Sequence, residues 1–243
     1  RMFCVELDKA HEILAKTTQS RVRQGVRPLT RRYKDLHEIS RNNLGGTWAM
    51  DWMTARAKSL DQNTGAFIVT NGELTTAYPT MTETLYDAAN SLQSFIHDVG
   101  IPKHLKTDMH SSFVGKHTEF QKVVKQNRID LTHAEAGRHN QIYKVDIEIR
   151  ELKRRVHNKR IEKNVPSRLW DFLLVHQAKM MQFIPRGPSG RTGYELVTGN
   201  TPDISEYCDF DFYDLVWYYA ESHPSISKDS RKLARWVGVA HRV

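Results

Sequence analysis

The stretch "TWAMDWMTARAKSLDQNTGAFIVTNGELTTAYPT", residues 47–80, decides the fold. It contains three short runs, "TWAMDWMTA", "GAFIVTN" and "LTTAYPT", that are rich in β-branched and aromatic residues. Such runs are typical of β-strands. Turn-forming residues separate them, first at Asn63 to Gly65 and then at Asn71-Gly72, so the stretch predicts an antiparallel meander.

The segments that follow the meander alternate between helical and strand patterns. A helix is predicted over 82–99, where apolar residues recur on one face and Gly100 and Pro102 end it. The pattern then predicts strands over 101–108 and 128–134, and helices over 117–127, 141–160 and 167–184. This order of elements predicts an α/β domain with a five-stranded mixed sheet flanked by helices.

We expect three regions along the chain: an N-terminal helix and basic arm at 1–44, a core at 45–186, and a C-terminal module at 187–243. The C-terminal module opens with a Gly-rich stretch that we interpret as turns, and continues with an acidic stretch at 203–221 and a basic tail at 228–242. We expect this module to be small and β-rich, and truncated because the sequence reads as a piece of a longer product. Its aromatic residues are expected in a core: Phe210, Phe212, Tyr213, Trp217 and Tyr218.

The composition limits the class of partner. The 243 residues include 36 Lys and Arg against 28 Asp and Glu, a formal charge of +8 that favours polyanionic partners. No apolar run approaches the roughly 20 residues that span a bilayer, so no membrane partner is expected. The two cysteines, Cys4 and Cys208, supply neither a disulfide framework nor a Cys-x-x-Cys zinc site.

Two aspartates stand at the strands where chemistry is expected. Asp51 lies in the middle of the first strand, where burying a lone carboxylate costs several kcal/mol unless a cation neutralises it. Asp108 ends the fourth strand, a position from which side chains converge on ligands in α/β sheets. If these strands pair, the two acids and a third from a later helix would form an oxygen site for Mg²⁺ or Mn²⁺. The alternatives are that Asp51 faces water on an edge strand and that Asp108 caps a turn.

The stretch "YKVDIEIRELKRRV", residues 143–156, offers the third acid. At about 100° per residue, Asp146 and Glu148 each lie about 80° from the centre of the apolar stripe, on opposite sides. Glu151 lies about 140° away and is expected to face solvent. Periodicity therefore leaves Asp146 and Glu148 both open. The stripe consists of Ile142, Val145, Ile149, Leu152 and Val156.

The same predicted helix carries a row of seven cationic residues. One interpretation is that they contact DNA phosphates, which would give salt-sensitive binding without sequence preference. The other is a solvated helix face with i,i+4 pairs such as Glu151 with Arg155. The basic row consists of Arg150, Lys153, Arg154, Arg155, Lys159, Arg160 and Lys163.

Stretches along nearly the whole chain resemble, in family order, the integrase region of Copia-type LTR retrotransposon polyproteins, within the retroviral-integrase-like superfamily. They are "TTQSRVRQGVRPLTRRY", "GTWAMDWM", "TAYPTMTE", "LQSFIHDVGIPKHLKTD", "IEIRELKRRV", "VPSRLWDFLL", "GRTGYELVTGNTPDISEYCDFDFYDLVWYY" and "KLARWVGVAHRV".

The resemblance implies an RNase H-like fold and a metal site of three acids that performs 3′-end processing and DNA strand transfer. Matched by position, Asp51 and Asp108 are the first two catalytic and metal-binding acids, and the family alignment places the third on Asp146. It further implies Mg²⁺ or Mn²⁺ as cofactor, DNA ends and target DNA as partners contacted by the basic row, a homo-oligomer and a nuclear location.

Three positions depart from the family pattern. Met109 stands where Asn usually follows the second Asp; "GRHNQIYKVD" lacks the Gly, Pro or Trp usual before the third acid; and the interval from Asp108 to Asp146 is slightly long. They keep open a second interpretation, a catalytically degenerate integrase-derived module for DNA binding or assembly. A host nuclease on the same fold is a third.

Overall fold

The computed structural model describes residues 3–19, 44–109, 113, 118–134, 143–186, 189–219 and 231–239. Most of the predicted basic arm, residues 20–43, lies outside this part of the chain. At the centre is one five-stranded sheet, formed by β1 (Leu44–Thr54), β2 (Gly65–Thr70), β3 (Thr75–Thr80), β4 (Pro102–Thr107) and β5 (Asp130–His133).

The sheet has the order β3-β2-β1-β4-β5 and mixes the two strand directions. The first three strands form the predicted antiparallel meander, and β4 and β5 continue from β1 in parallel. The predicted α/β class and mixed five-stranded sheet are therefore confirmed. Because β1 is the central strand, Asp51 does not stand on an edge strand.

Helices form at the predicted places, and all but the first of them cover a face of the sheet. They are α1 (Leu7–Lys16), α2 (Leu85–Asp98), α3 (Glu119–Gln126), α4 (Tyr143–Lys163) and α5 (Trp170–Gln182), with a 3-10 turn at Ser167–Leu169 before α5. Threonine side chains cap α2 and α3, where Thr84 accepts from the Asp87 N–H and Thr118 from the Gln121 N–H. None of the helices in the described ranges is long and apolar enough to cross a bilayer.

The alternation of side chains along β1 determines which helices each residue meets. Trp48 and Met50 pack with α2 and α3, whereas Ala49 and Met53 pack with α4 and α5. Successive residues of a strand point to opposite faces, so Asp51 is directed to the face that carries α4 and α5. The predicted stripe of α4 is buried at Val145, Ile149 and Leu152 and partly buried at Val156, while Ile142 lies outside the described residues.

The two flanking regions meet at the end of α5. Phe3 and Ile13 of the N-terminal segment share a buried cluster with Phe183 after α5 and with Ile204 and Tyr207 of the C-terminal region. The boundaries predicted at residues 44 and 186 stay a prediction.

The C-terminal region contains more helix than its sequence indicated. Besides the short pairs β6 (Pro185–Arg186) with β7 (Arg191–Thr192) and β8 (Leu215–Tyr219) with β9 (Arg231–Arg235), it forms α6 (Gly193–Thr198) and α7 (Ser205–Cys208). The interpretation of the Gly-rich stretch as turns alone was wrong at α6. Thr192 caps this helix, and Gly199, at φ +74°, ends it in the left-handed conformation that glycine adopts without strain.

The predicted aromatic core of this region is only partly correct. Phe212 is fully buried and Tyr213 is half-buried. Phe210, Trp217 and Tyr218 are exposed, Trp217 by 69%. Trp217 and Tyr218 lie in β8, which forms with β9 a two-stranded hairpin that leaves side chains of both strands open to solvent.

Candidate functional site

The register of the two parallel strands β1 and β4 brings the first two predicted acids, Asp51 and Asp108, to the same end of the sheet. Met50 of β1 lies opposite Thr107 of β4. Asp51 follows Met50 in β1, and Asp108 immediately follows the last residue of β4, so the two stand side by side at the carboxyl end of β4. Both side chains are half-buried. Residues in register on neighbouring strands share a face of the sheet, so we expect the two carboxylates on the same side if Asp108 continues the register of β4 by one residue.

The electrostatics of Asp51 indicate that further acids stand near it. The pKa of Asp51 is raised to about 6, mainly by burial and also by the charges of Asp108, Asp146 and Glu83. The backbone N–H of Trp52 donates to Asp51 Oδ1 over 2.7 Å, and this hydrogen bond lowers the pKa of Asp51. The three acids singled out in the sequence therefore stand close enough together for their charges to interact.

Glu83 belongs to this group of acids, although sequence reasoning did not single it out as a site residue. It lies between β3 and α2. Because β1, β2 and β3 alternate in direction, β3 ends at the same edge of the sheet as β1. The predicted meander was a signal that could have placed Glu83 there.

The structure separates the two candidates for the third acid. Asp146 is exposed in the first turn of α4 and contributes to the pKa shift of Asp51. Glu148 is buried and hydrogen-bonded within the protein: Arg186 Nη1 donates to its Oε1 over 2.6 Å, and Thr75 Oγ1 donates to its Oε2 over 3.0 Å. Glu148 is thus held by protein groups, whereas Asp146 is open to a ligand.

Glu151, which was expected to face solvent, is instead partly covered. Its side chain is 30% exposed and accepts hydrogen bonds from Arg154 Nε over 2.8 Å and from Arg155 Nε over 2.7 Å. These bonds lower the pKa of Glu151, the bond from Arg154 most. Glu151 therefore organises two cations of the basic row and has no part in the acid group.

A histidine missed by sequence reasoning supports the end of β4. Thr107 Oγ1 lies 2.9 Å from His133 Nδ1 and donates to the Asp108 carbonyl over 3.2 Å. A hydroxyl has one proton to donate. A Thr107 hydroxyl that donates to the Asp108 carbonyl therefore accepts a hydrogen bond from the Nδ1–H of His133. The contact with His133 comes from the register of β4 and β5, which pairs Thr107 with His133.

The donor set fits a divalent cation in chemistry. Carboxylate oxygens are the ligands that Mg²⁺ and Mn²⁺ prefer, and a cation beside Asp51 would lower the pKa that burial and like charges raise. In the described part of the chain, however, no three His, Cys, Asp or Glu side chains are already close enough together to hold a metal ion. The acids are near one another without forming a finished cage.

The structure divides the predicted basic row and corrects it. Arg155 is buried and donates to Glu151 and to the Phe3 carbonyl, and Lys159 is fully buried 2.6 Å from Asp211. Lys163 is half-buried and pairs with Asp211 and Asp214. These three are engaged inside the protein and are removed from the set available to DNA. Arg150, Lys153 and Arg154 are exposed and Arg160 is half-buried.

Comparison with known proteins identifies the fold. The chain resembles the catalytic core domain of BIV integrase with 19% identity and a TM-score of 0.50, over 62% of this chain and 92% of that one. It also resembles the HTLV-2 integrase catalytic core domain, solved in complex with magnesium in a trimeric form, with 16% identity and a TM-score of 0.48, over 62% of this chain and 95% of that one. No family model and no curated protein matches the sequence. The likeness to the BIV domain shows that the chain has the RNase H-like fold of retroviral integrase catalytic cores.

Proposed function

We propose that this chain is an integrase catalytic core that performs divalent-metal-dependent phosphoryl transfer on DNA, as 3′-end processing and strand transfer. One observation carries the proposal: the parallel pairing of Met50 with Thr107 brings Asp51 and Asp108 together at the carboxyl end of β4, where the charges of Asp108, Asp146 and Glu83 act on Asp51. Grouped carboxylates whose mutual repulsion a cation would relieve are the arrangement that metal-dependent phosphoryl transfer requires.

Each acid has a distinct place in the proposed site. Asp51 and Asp108, at the edge of a rigid sheet, and Asp146, on α4, would hold Mg²⁺ or Mn²⁺. The bound cation would supply Lewis-acid chemistry, activating the attacking oxygen and stabilising the leaving one. The position of Asp51 on the central strand keeps its carboxylate in a fixed direction, which limits the reorganisation needed when substrate binds.

The exposed cations of α4 supply the proposed DNA contact. Arg150 lies one helical turn beyond Asp146, and Lys153 and Arg154 extend the same helix away from the acids. A duplex whose phosphates contact these three residues would lie along α4 with its scissile bond toward the acid group. Such contacts give affinity without sequence preference.

The resemblance in sequence supports three wider parts of the proposal. We infer an origin in a Copia-type retrotransposon polyprotein, action in the nucleus as a homo-oligomer, and element ends and target DNA as substrates. These inferences stand on the family-like stretches of the sequence.

A cleavage assay tests the proposal. Purified chain is incubated with a fluorescent DNA duplex in Mg²⁺, in Mn²⁺ or in EDTA, and nicked and joined products are separated on a denaturing gel. We expect metal-dependent products that Asp51→Asn and Asp108→Asn abolish. Asp130→Asn is the matched control because this exposed carboxylate lies at the other end of the parallel strands. Products that persist in the Asp51 and Asp108 variants would refute the assignment.

A second candidate is a catalytically degenerate module that binds DNA or assembles with other chains. It is favoured by the finding that no three potential ligands in the described ranges are close enough to hold a metal ion, and by Met109 after Asp108. This candidate predicts salt-sensitive DNA binding that Asp51→Asn leaves unchanged, with no product in either metal.

A further inference from the structure

Glu148 is the centre of a buried ionic network on α4. Its side chain is 8% exposed, and Arg186 approaches both of its oxygens, with Nη1 2.6 Å from Oε1 and Nη2 3.3 Å from Oε2. Thr75 Oγ1 donates the third hydrogen bond. A buried carboxylate is stable only with such partners, so this side chain is confined to one direction.

The partners of Glu148 belong to the frame of the molecule. Thr75 begins β3, and Arg186 Nη1 also donates to the Gly72 carbonyl in the β2–β3 turn over 2.9 Å. Arg186 itself lies in β6, which follows α5 and pairs with β7. The network therefore ties the start of α4 to the sheet and to the segment after α5.

The network also sets how α4 is rotated about its own axis. Asp146 precedes Glu148 by two residues, or about 200° around the helix, so holding Glu148 inward turns Asp146 to the opposite side. Side-chain ends lie about 5–6 Å from a helix axis, so a roll of about 20° would move the Asp146 carboxylate by about 2 Å. An apolar stripe tolerates such a roll better than a bidentate ion pair, whose geometry is directional.

We propose that Glu148 and Arg186 act as a clamp that positions Asp146 toward Asp51 and Asp108. Glu148 and Arg186 are positioning residues: they act through α4 and have no contact with the reacting atoms. The inference rests on the proposed function, because the direction of Asp146 matters only if its carboxylate binds the metal ion. It also assigns a role to Glu148 other than the third metal ligand, which periodicity had left possible.

Binding of Mn²⁺ to the full chain, measured from the EPR signal of the free ion, tests the clamp without any activity assay. Arg186→Met should weaken Mn²⁺ binding by about tenfold or more, the usual effect of removing a residue that orients a metal ligand. Arg186→Lys, which keeps the charge but loses the planar fork, should restore part of the affinity. Glu148→Gln, which keeps the side-chain shape, provides the same test if Arg186→Met does not fold.

The matched control is Asp211→Asn, which breaks an ion pair to Lys159 in the other half of the same helix. It should lower the thermal midpoint while leaving Mn²⁺ affinity within about twofold of wild type, because Lys159 lies more than three turns from Asp146. Arg186→Met and Glu148→Gln that bind Mn²⁺ like wild type would overturn the clamp. If Asp51→Asn and Asp108→Asn also bind Mn²⁺ like wild type, or wild type binds none, the proposed function itself fails.

Discussion

Lys159 and Asp211 form an ion pair in which Nζ lies 2.6 Å from Oδ2 and the lysine side chain is completely buried. Lys163 adds contacts to Asp211 at 3.0 Å and to Asp214 at 2.7 Å. The acidic stretch before β8 is therefore attached to the last turns of α4 by charge. Two of the α4 cations that the sequence predicted to contact DNA, Lys159 and Lys163, therefore form ion pairs within the protein.

Lys159→Met should destabilise the protein without affecting DNA binding. Removing one partner of a buried ion pair costs about 3–5 kcal/mol, and we expect about 2 kcal/mol here because Asp211 retains Lys163. Urea unfolding measures the decrease in stability. Lys122→Met, which removes an exposed pair with Glu119, is the control and should cost about 0.5 kcal/mol or less. Equal decreases for the two variants would contradict the structural role of Lys159.

Arg150→Gln combined with Lys153→Gln should weaken DNA binding and reduce its salt dependence. Each phosphate that the protein no longer neutralises lowers the slope of log K against log salt by about 0.9, so the slope should fall by about 2 in the double variant. Fluorescence anisotropy over a salt series measures this slope. Lys125→Gln on α3, across the sheet from α4, is the control. An unchanged slope in the double variant would show that Arg150 and Lys153 face solvent without contacting DNA phosphates.

The parts of the molecule that sequence predicted are those determined locally. The strand runs and the stripe at Val145, Ile149 and Leu152 follow from periodicity, whereas the approach of Asp51 to Asp108 was predicted only on the condition that the first and fourth strands pair. Long-range partners could not be predicted in the same way. The choice between Asp146 and Glu148 depends on Arg186, which is 38 residues from Glu148, and the two candidates are symmetric about the stripe. The burial of Lys159 depends on Asp211, 52 residues away.

His176 should make the protein less stable in mild acid. It is buried among Phe212, Trp236 and Tyr207, with ring centroids 5.2, 5.5 and 6.1 Å away, and its Nε2 has no hydrogen-bond partner among the described residues. Burial lowers the pKa of His176 to about 4. The unfolded chain, with a pKa near 6.5, binds the proton more readily, so the contribution of His176 to stability is complete above pH 6.5 and is lost as pH falls toward 4.

The expected decrease from this one group is at most about 3 kcal/mol across that interval. Urea unfolding of wild type and of His176→Gln at about pH 7.5 and about pH 4.5 isolates it, because carboxylates titrate in both proteins. We expect the difference between the two pH values to be smaller in the variant. The same difference in both proteins would exclude His176 as the source.

Asp51→Asn should stabilise the metal-free protein at neutral pH. The pKa of Asp51 is raised from 3.8 to about 6 in the fold, so the folded state binds the proton more readily and the contribution of Asp51 to stability is lost as pH rises through 6. Removing the charge should raise the free energy of unfolding by about 1–2 kcal/mol, after allowance for partial exposure. Thermal melts in EDTA and in Mn²⁺ measure it: the metal should stabilise wild type and leave the variant unchanged. A variant less stable than wild type in EDTA would contradict the unfavourable charge.

Asp146→Glu should increase metal-dependent strand transfer above wild type. Asp146 lies on a helix, whereas Asp51 and Asp108 lie on the sheet, so its carboxylate must bridge the space between the two layers. Aspartate is one methylene shorter than glutamate, and the described residues contain no completed metal cage. A misplacement of a catalytic group by about 1 Å can lower the rate by about 100-fold. We expect the aspartate carboxylate to lie short of the best position, so the longer glutamate side chain should raise the rate. Asp146→Asn should abolish product formation, and Glu148→Gln should only weaken it, since Glu148 acts through the position of α4. Product yields in Mn²⁺ for the three variants decide the assignment: activity retained in Asp146→Asn but abolished in Glu148→Gln would make Glu148 the third ligand.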